Sequence, residues 1–228
     1  MKAIVLLSGG LDSATCLLIA REEGYEVFAL SFDYGQRHSV ELERARELAR
    51  RYGAREHRVA RIDFPASAAS ALTNLARPVP KNSLGREAIP PTYVPARNTL
   101  FLSHAVAWGE AIGVGDIFIG ANALDYSGYP DCRPEFLDAF ARMANLGTKA
   151  GTQGQLEFRI HAPLISMTKA QIVSRAAKLG LDFSETSSCY DPSRAGAPCG
   201  NCDSCLLRAK GFREAGLEDT LIRRQGLN

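Results

Sequence analysis

Apolar residues in this chain fall in short blocks separated by stretches with helical spacing. Residues 3–7 (AIVLL) form an unbroken apolar run, the pattern of a strand buried on both faces of a parallel sheet. From Ala14 the spacing predicts a helix that stops near Gly24, a residue suited to helix termination. Residues 26–32 (EVFALSF) read as a second strand. Leu42, Ala45, Leu48, Ala49 and Tyr52 then share one helical face up to Gly53, and residues 57–62 give a weaker third strand. Strand–helix–strand–helix alternation of this kind builds a parallel sheet through right-handed crossovers, so the predicted fold is α/β with a doubly wound, mainly parallel sheet.

Residues 63–96 break that rhythm. Pro65, Pro78, Pro80, Pro90, Pro91 and Pro95 all lie there, and each removes a backbone donor and disfavours regular structure. A long irregular segment inside a compact domain is commonly a functional loop or a mobile one. After VPARNTL an apolar helix runs to about Ile112, followed by a strand at 116–120 (DIFIG) and a helix near 135–146. FRIHAPL supplies a short strand at about 158–162. The next helix opens on Thr168 and Gln171, at capping-box spacing, and closes at Gly180. There is no internal repeat and no low-complexity segment.

Composition narrows the function classes. The chain has 228 residues, 46% hydrophobic and 23% charged, ordinary values for a globular enzyme. Its 27 basic and 25 acidic residues leave a formal charge of +2, which argues against a partner held by bulk charge, such as nucleic acid. No stretch has the length of a membrane span and the N-terminus lacks a secretory pattern, so a cytoplasmic protein is expected. Four of the six cysteines cluster as Cys189-x9-Cys199-x2-Cys202-x2-Cys205. In a reducing compartment such thiols more often hold a metal than form disulfides. Four sulfurs suit a closed, structural Zn²⁺ site, with an iron–sulfur cluster as the competing reading.

The candidate chemistry lies first in LLSGGLDSAT, residues 6–15. A glycine turn between a buried strand and a helix aims backbone N–H groups and the positive end of the helix dipole at an anion. Ser8, Ser13 and Thr15 add hydroxyls, and no lysine is present to make this a GxxxxGK[ST] loop. The string SGGLDS closely resembles the phosphate loop of the ATP pyrophosphatases, which split ATP between its α- and β-phosphates. That resemblance implies an adenine-nucleotide α-hydrolase-like fold and a nucleotide segment made of Ser8, Gly9, Gly10, Leu11, Asp12, Ser13, Ala14, Thr15, Cys16, Leu17 and Leu18. Ser8, Asp12 and Ser13 are its catalytic candidates, with Asp12 orienting Mg²⁺ or bracing the turn.

SFDYGQRH (31–38), VPARNT (94–99), GANALDYSGYPDCRPEF (120–136) and ETSSCY (185–190) extend the likeness. Together with the loop and the four cysteines, they resemble the 7-cyano-7-deazaguanine synthase family of the pathway to queuosine and archaeosine, over residues 1 to about 210. The resemblance implies ATP, 7-carboxy-7-deazaguanine and ammonia as substrates, a nitrile product formed through an amide, and zinc at the four cysteines. Members of this class are commonly homodimers. In such a site Asp125 or Asp131 would accept from the guanine-like edge, Tyr126 or Tyr129 would stack on its face, and Arg97 or Arg133 would pair with its carboxylate. His38 is a further candidate for phosphate or substrate contact. His104 and Cys16 read as core residues, and Cys132 sits among the presumed substrate residues. The organisation expected is a nucleotide and substrate domain over 1–183 with a zinc-binding segment over 184–228. The alternatives are a tRNA base thiolation enzyme, which needs a persulfide-bearing cysteine and a basic surface; a glutamine-dependent synthetase, which needs its own nucleophile; and a zinc-containing nucleic-acid interaction module, which leaves residues 1–180 unexplained.

Overall fold

The first strand sets the architecture because nothing polar interrupts it: Ala3, Ile4 and Val5 are fully buried. A computed structural model of the chain describes residues 1–37, 40–64, 70–84, 89–124, 129–193 and 195–224. Five strands, β1 (Lys2–Leu6), β2 (Glu26–Asp33), β3 (Glu56–Arg61), β4 (Asp116–Phe118) and β5 (Arg159–His161), form one sheet in the order β3-β2-β1-β4-β5. Every pairing is parallel; β1 pairs with β2 from Lys2↔Glu26 and with β4 from Ala3↔Asp116. The doubly wound α/β reading is therefore correct.

Helices cover both faces. On one side lie α1 (Leu11–Glu22), α2 (Val40–Arg51), α6 (Lys169–Lys178) and α7 (Asp203–Ala215), whose Leu17, Leu48, Ile172 and Phe212 share a core. On the other, α3 (Arg97–Ile112) and α4 (Pro134–Gly147) bury Leu102, Trp108, Leu137 and Phe140. The short helices α5 (Lys149–Thr152) and α8 (Thr220–Arg224) complete the set. The strand order reverses between β1 and β4, which opens a crevice beyond their C-terminal ends, where open α/β sheets bind ligands.

Sequence and structure differ at instructive places. Helix α1 starts at Leu11 rather than Ala14, because Gly10 is its N-cap and its polar first turn hides the helical period. The capping box at α6 is present, with Thr168 accepting from the Gln171 N–H. No helix or strand occurs among the described residues between β3 and α3. The tail carries α7 and α8, which its cysteine and glycine spacing concealed. His104 is exposed and meets Phe32 edge-on, so it is not a core residue, whereas Cys16 is fully buried.

Gly9 shows how tightly the fold frames the crevice. It has φ +86°, and a Cβ there would stand 2.4 Å from the Glu41 carbonyl oxygen at the start of α2. Gly9→Ala combines a left-handed backbone with a clash against main chain. It should cost about 2–4 kcal/mol and lower the melting temperature by roughly 10 °C, measured by thermal unfolding with circular dichroism.

Candidate active site

The loop after β1 is held open by hydrogen bonds within itself and to the far end of the chain. The Ser8 N–H donates to Ser13 Oγ at 3.1 Å, and the two hydroxyls lie 3.0 Å apart. Ser13 Oγ also donates to the Gly10 carbonyl, and the Gly10 N–H points at Ser8 Oγ. From the tail, the Ser187 N–H donates to the Gly9 carbonyl at 2.9 Å, and Ser188 Oγ accepts from the Leu11 N–H. Two hydroxyls and the N-terminus of α1 thus stand together at the loop, an arrangement that can accept an anion.

The lysine missing from the loop arrives from elsewhere. Lys169, the first residue of α6, is buried, and its Nζ lies 2.9 and 3.0 Å from the two Asp12 carboxylate oxygens. Asp12 is thereby braced against a buried cation. Room for the lysine stem comes from α7: a Cβ on Gly211 would lie 2.4 Å from Lys169 Cγ. A cation in the first turn of a helix opposes the helix dipole, and the Asp12 carboxylate offsets that cost.

A cleft of about 230 Å³ opens from this loop along the crevice. Ser8, Gly10, Leu11, Asp12 and Ser13 line it, whereas Ala14, Cys16, Leu17 and Leu18 point into the core. Thr15 Oγ1 is spent on the Leu11 carbonyl at 2.7 Å. Arg97, Tyr129 and Cys132 line the opposite wall with Tyr34, Phe101 and Tyr190. Phe32 and Phe101 stack at 3.9 Å, and Tyr34 tilts against Phe101. The wall therefore presents a guanidinium among flat apolar faces, suited to a planar, carboxylate-bearing ring.

Other expected residues lie elsewhere. Asp131 is buried and its Oδ2 accepts from the Asn98 N–H at 3.0 Å, so it caps α3, whose N-cap Ala96 offers no side-chain acceptor. It does not line the cleft. Arg133 is exposed at the N-cap of α4, also outside the cleft. Asp125, Tyr126 and His38 fall outside the described residues. Burial, and then the Asp131 charge, push the Cys132 thiol up to about 11, and Asn98 Nδ2 lies 3.3 Å from its sulfur. Burial also raises the Cys16 thiol. Neither is poised as a thiolate nucleophile.

Sequence reasoning left Tyr34, Glu41, Lys169, Ser188 and Tyr190 without roles, although SFDYGQRH and ETSSCY had marked two of the segments that carry them. The Pro-rich stretch closes the cleft's side through Arg37, whose Nε donates to the Ala71 carbonyl at 2.7 Å and whose Nη2 reaches the Asn74 carbonyl at 3.0 Å.

The four cysteines meet. Their sulfurs all lie within 4.8 Å of one another, with Cys189 and Cys202 4.0 Å apart and unbonded. Tetrahedral Zn–S bonds of about 2.3 Å place sulfurs roughly 3.8 Å apart, so the cluster could hold zinc. Backbone N–H groups of Tyr190, Asp191 and Cys199 donate to Cys202 or Cys189 sulfur at 3.2–3.4 Å. Residues 187–190 thus reach from the loop to the metal ligands.

Two outcomes follow from this geometry. Chelation should remove about one zinc per chain, measured by elemental analysis, and lower the melting temperature by roughly 10 °C as folding free energy held by the metal is lost. Gly211→Ala should push Lys169 off Asp12 and weaken ATP binding at least several-fold in calorimetry, with the helical circular dichroism signal retained.

The sequence model described as "Queuosine biosynthesis protein QueC" matches residues 2–216. Proteins named 7-cyano-7-deazaguanine synthase from Geobacter metallireducens and Syntrophotalea carbinolica are 61% and 60% identical to it, each over 218 residues. Those alignments cover 96% of this chain and 91% and 94% of theirs. A solved NMN synthetase from Francisella tularensis shares the fold at TM-score 0.52 and 19% identity, over 100% of this chain and 78% of that one. Relatives of this kind are synthases, so the protein is an enzyme, and it belongs to the QueC family.

Proposed function

We propose that the chain is a carbon–nitrogen ligase that converts 7-carboxy-7-deazaguanine and ammonia to 7-cyano-7-deazaguanine at the cost of ATP. The observation that carries this reading is that one cleft is lined both by the serine and glycine loop at the N-terminus of α1 and by a guanidinium among aromatic side chains. A carboxylate is a poor electrophile because substitution would have to expel oxide. Transfer of AMP to it gives a mixed anhydride with a good leaving group, and ammonia then forms the amide. A second adenylation, on the amide oxygen, allows elimination to the nitrile.

Each residue has a defined part in this scheme. Ser8, Ser13 and the N–H groups around Gly9 and Gly10 receive the departing pyrophosphate, where charge builds up in the transition state. Asp12 positions Lys169, whose charge sits beneath that loop. Mg²⁺ would accompany the nucleotide and screen phosphate charge. Arg97 pairs with the acid's carboxylate and Tyr129 bounds its ring; Asp131 fixes Arg97 indirectly by capping α3. No protein nucleophile is needed, in keeping with the protonated Cys132 thiol. Residues 1–183 hold the chemistry, and residues 184–228 close it with a zinc-bound segment. The enzyme works in the cytoplasm as a homodimer on free small molecules, without nucleic acid or membrane. No described helix is long and apolar enough to cross a membrane.

A tRNA-thiolating enzyme would need a thiolate to carry sulfur, and neither cysteine outside the metal cluster offers one. ATP–pyrophosphate exchange separates the readings. Exchange should depend on 7-carboxy-7-deazaguanine and not on tRNA or glutamine, and full turnover with ammonium should release AMP and pyrophosphate. Formation of ADP would overturn the assignment.

A further inference from the structure

Of the charges that line the cleft, Glu41 is set chiefly against Arg97, the guanidinium assigned to the acid substrate. Of the cations, Arg37 is engaged by the carbonyls of residues 71–77, and Arg97 is reserved above for the acid. Of the described anions that line the cleft, Asp12 is tied to Lys169. That leaves Glu41, in the first turn of α2, half-buried, lining the cleft and within electrostatic reach of Tyr34. Its backbone packs on Gly9, so its position is fixed relative to the pyrophosphate site. An acid substrate supplies its own negative charge to Arg97 and has no use for a second one beside it. A small cation does.

We infer that Glu41, flanked by Tyr34, forms the subsite that binds ammonium and takes its proton. This rests on the ligase reading above. The step balances as follows. Ammonium gives one proton to a Glu41 carboxylate oxygen. The freed lone pair forms the C–N bond to the acyl carbon of the adenylated acid. The C–O bond to AMP breaks, and AMP leaves with that electron pair. The new C–NH₃⁺ group sheds its second proton to the departing phosphate.

The surroundings suit a proton acceptor near neutrality. Burial raises the Glu41 carboxyl to about 7, outweighing the pull of the Arg97 charge. The Tyr34 phenol beside it is pushed up by burial more than Arg97 draws it down, so it remains protonated and neutral. A base matched to the working pH transfers protons most effectively.

The test uses the purified full chain with ATP, Mg²⁺, 7-carboxy-7-deazaguanine and ammonium chloride. Two steps are read for wild type and Glu41→Gln: acid-dependent ATP–pyrophosphate exchange without ammonium, and nitrogen transfer to amide and nitrile by mass spectrometry. At pH 7, Glu41→Gln should lower nitrogen transfer about 100-fold and exchange at least tenfold less than that. The variant's transfer should climb about tenfold per pH unit as free ammonia accumulates, whereas wild-type kcat/KM for ammonium should flatten above about pH 7. Equal losses in both steps would place Glu41 on the acid or nucleotide instead, and transfer within twofold of wild type would remove it from the reaction. A wild-type profile without the flattening also overturns the inference, independently of how the variant folds. Absence of acid-dependent exchange in wild type would instead bring down the ligase reading itself, and the inference with it.

Discussion

A single backbone hydrogen bond, from the Ser187 N–H to the Gly9 carbonyl, joins the tail to the loop after β1 beside the cleft. The loop that follows β1 is short of partners by construction. Its carbonyls cannot all face the sheet, and the first N–H groups of α1 have no helical acceptor. Residues 187 and 188 satisfy part of that demand from the tail. The shape of the loop is therefore a property of the whole fold rather than of a local motif, and the distance in sequence between its halves makes it dependent on complete folding.

What holds the tail in place is a second buried device. Arg208 on α7 forms a two-pronged pair with Asp219, at 2.6 and 2.8 Å, and also donates to Thr186 Oγ1 and to the Phe183 carbonyl. Its charge is almost wholly removed from water, which is tolerable only because every prong of the fork is satisfied. The same helix presents Gly211 to the stem of Lys169. One helix thus fixes both the strand of tail that closes the loop and the cation beneath it. Placing Lys169 at the positive end of α6 costs some helix stability, and the Asp12 carboxylate offsets it.

Much of this was legible from the chain alone. The apolar run at residues 3–7, the helical face of Leu42, Ala45 and Leu48, and the box at Thr168 and Gln171 each carry a period or spacing with a direct local cause. The cysteines were legible because their spacing has few other uses. The roles of Asp131 and Arg133 were not, since GYPDCRP reads the same whether its charges face a ligand, cap a helix or face water. Asp131 turned out to serve α3 because Ala96 leaves that helix uncapped, a deficit visible only once the two segments are adjacent. Glu41 and Lys169 look like ordinary surface charges in amphipathic helices. Only tertiary packing turns them inward.

The cysteine cluster and the cleft share a wall through Tyr190, so a metal held by the cysteines would also bear on the cleft's shape. Tyr190 faces the cleft while its N–H donates to Cys202 sulfur, and the next N–H along, from Asp191, donates to Cys189. Asp191 in turn holds Lys81 of the Pro-rich stretch at 2.8 Å, with Arg37 at 3.8 Å. A chain segment with so many glycines and prolines cannot hold such a geometry through secondary structure or an apolar core of its own. Four ligands to one ion can do it within seventeen residues, because a metal fixes positions without needing volume. With a metal bound, the cluster would act as the hinge post on which three irregular segments, 70–84, 187–191 and 199–202, are hung around the cleft. On that logic the four cysteines, at the C-terminal end of the chain, would also help to shape the cleft.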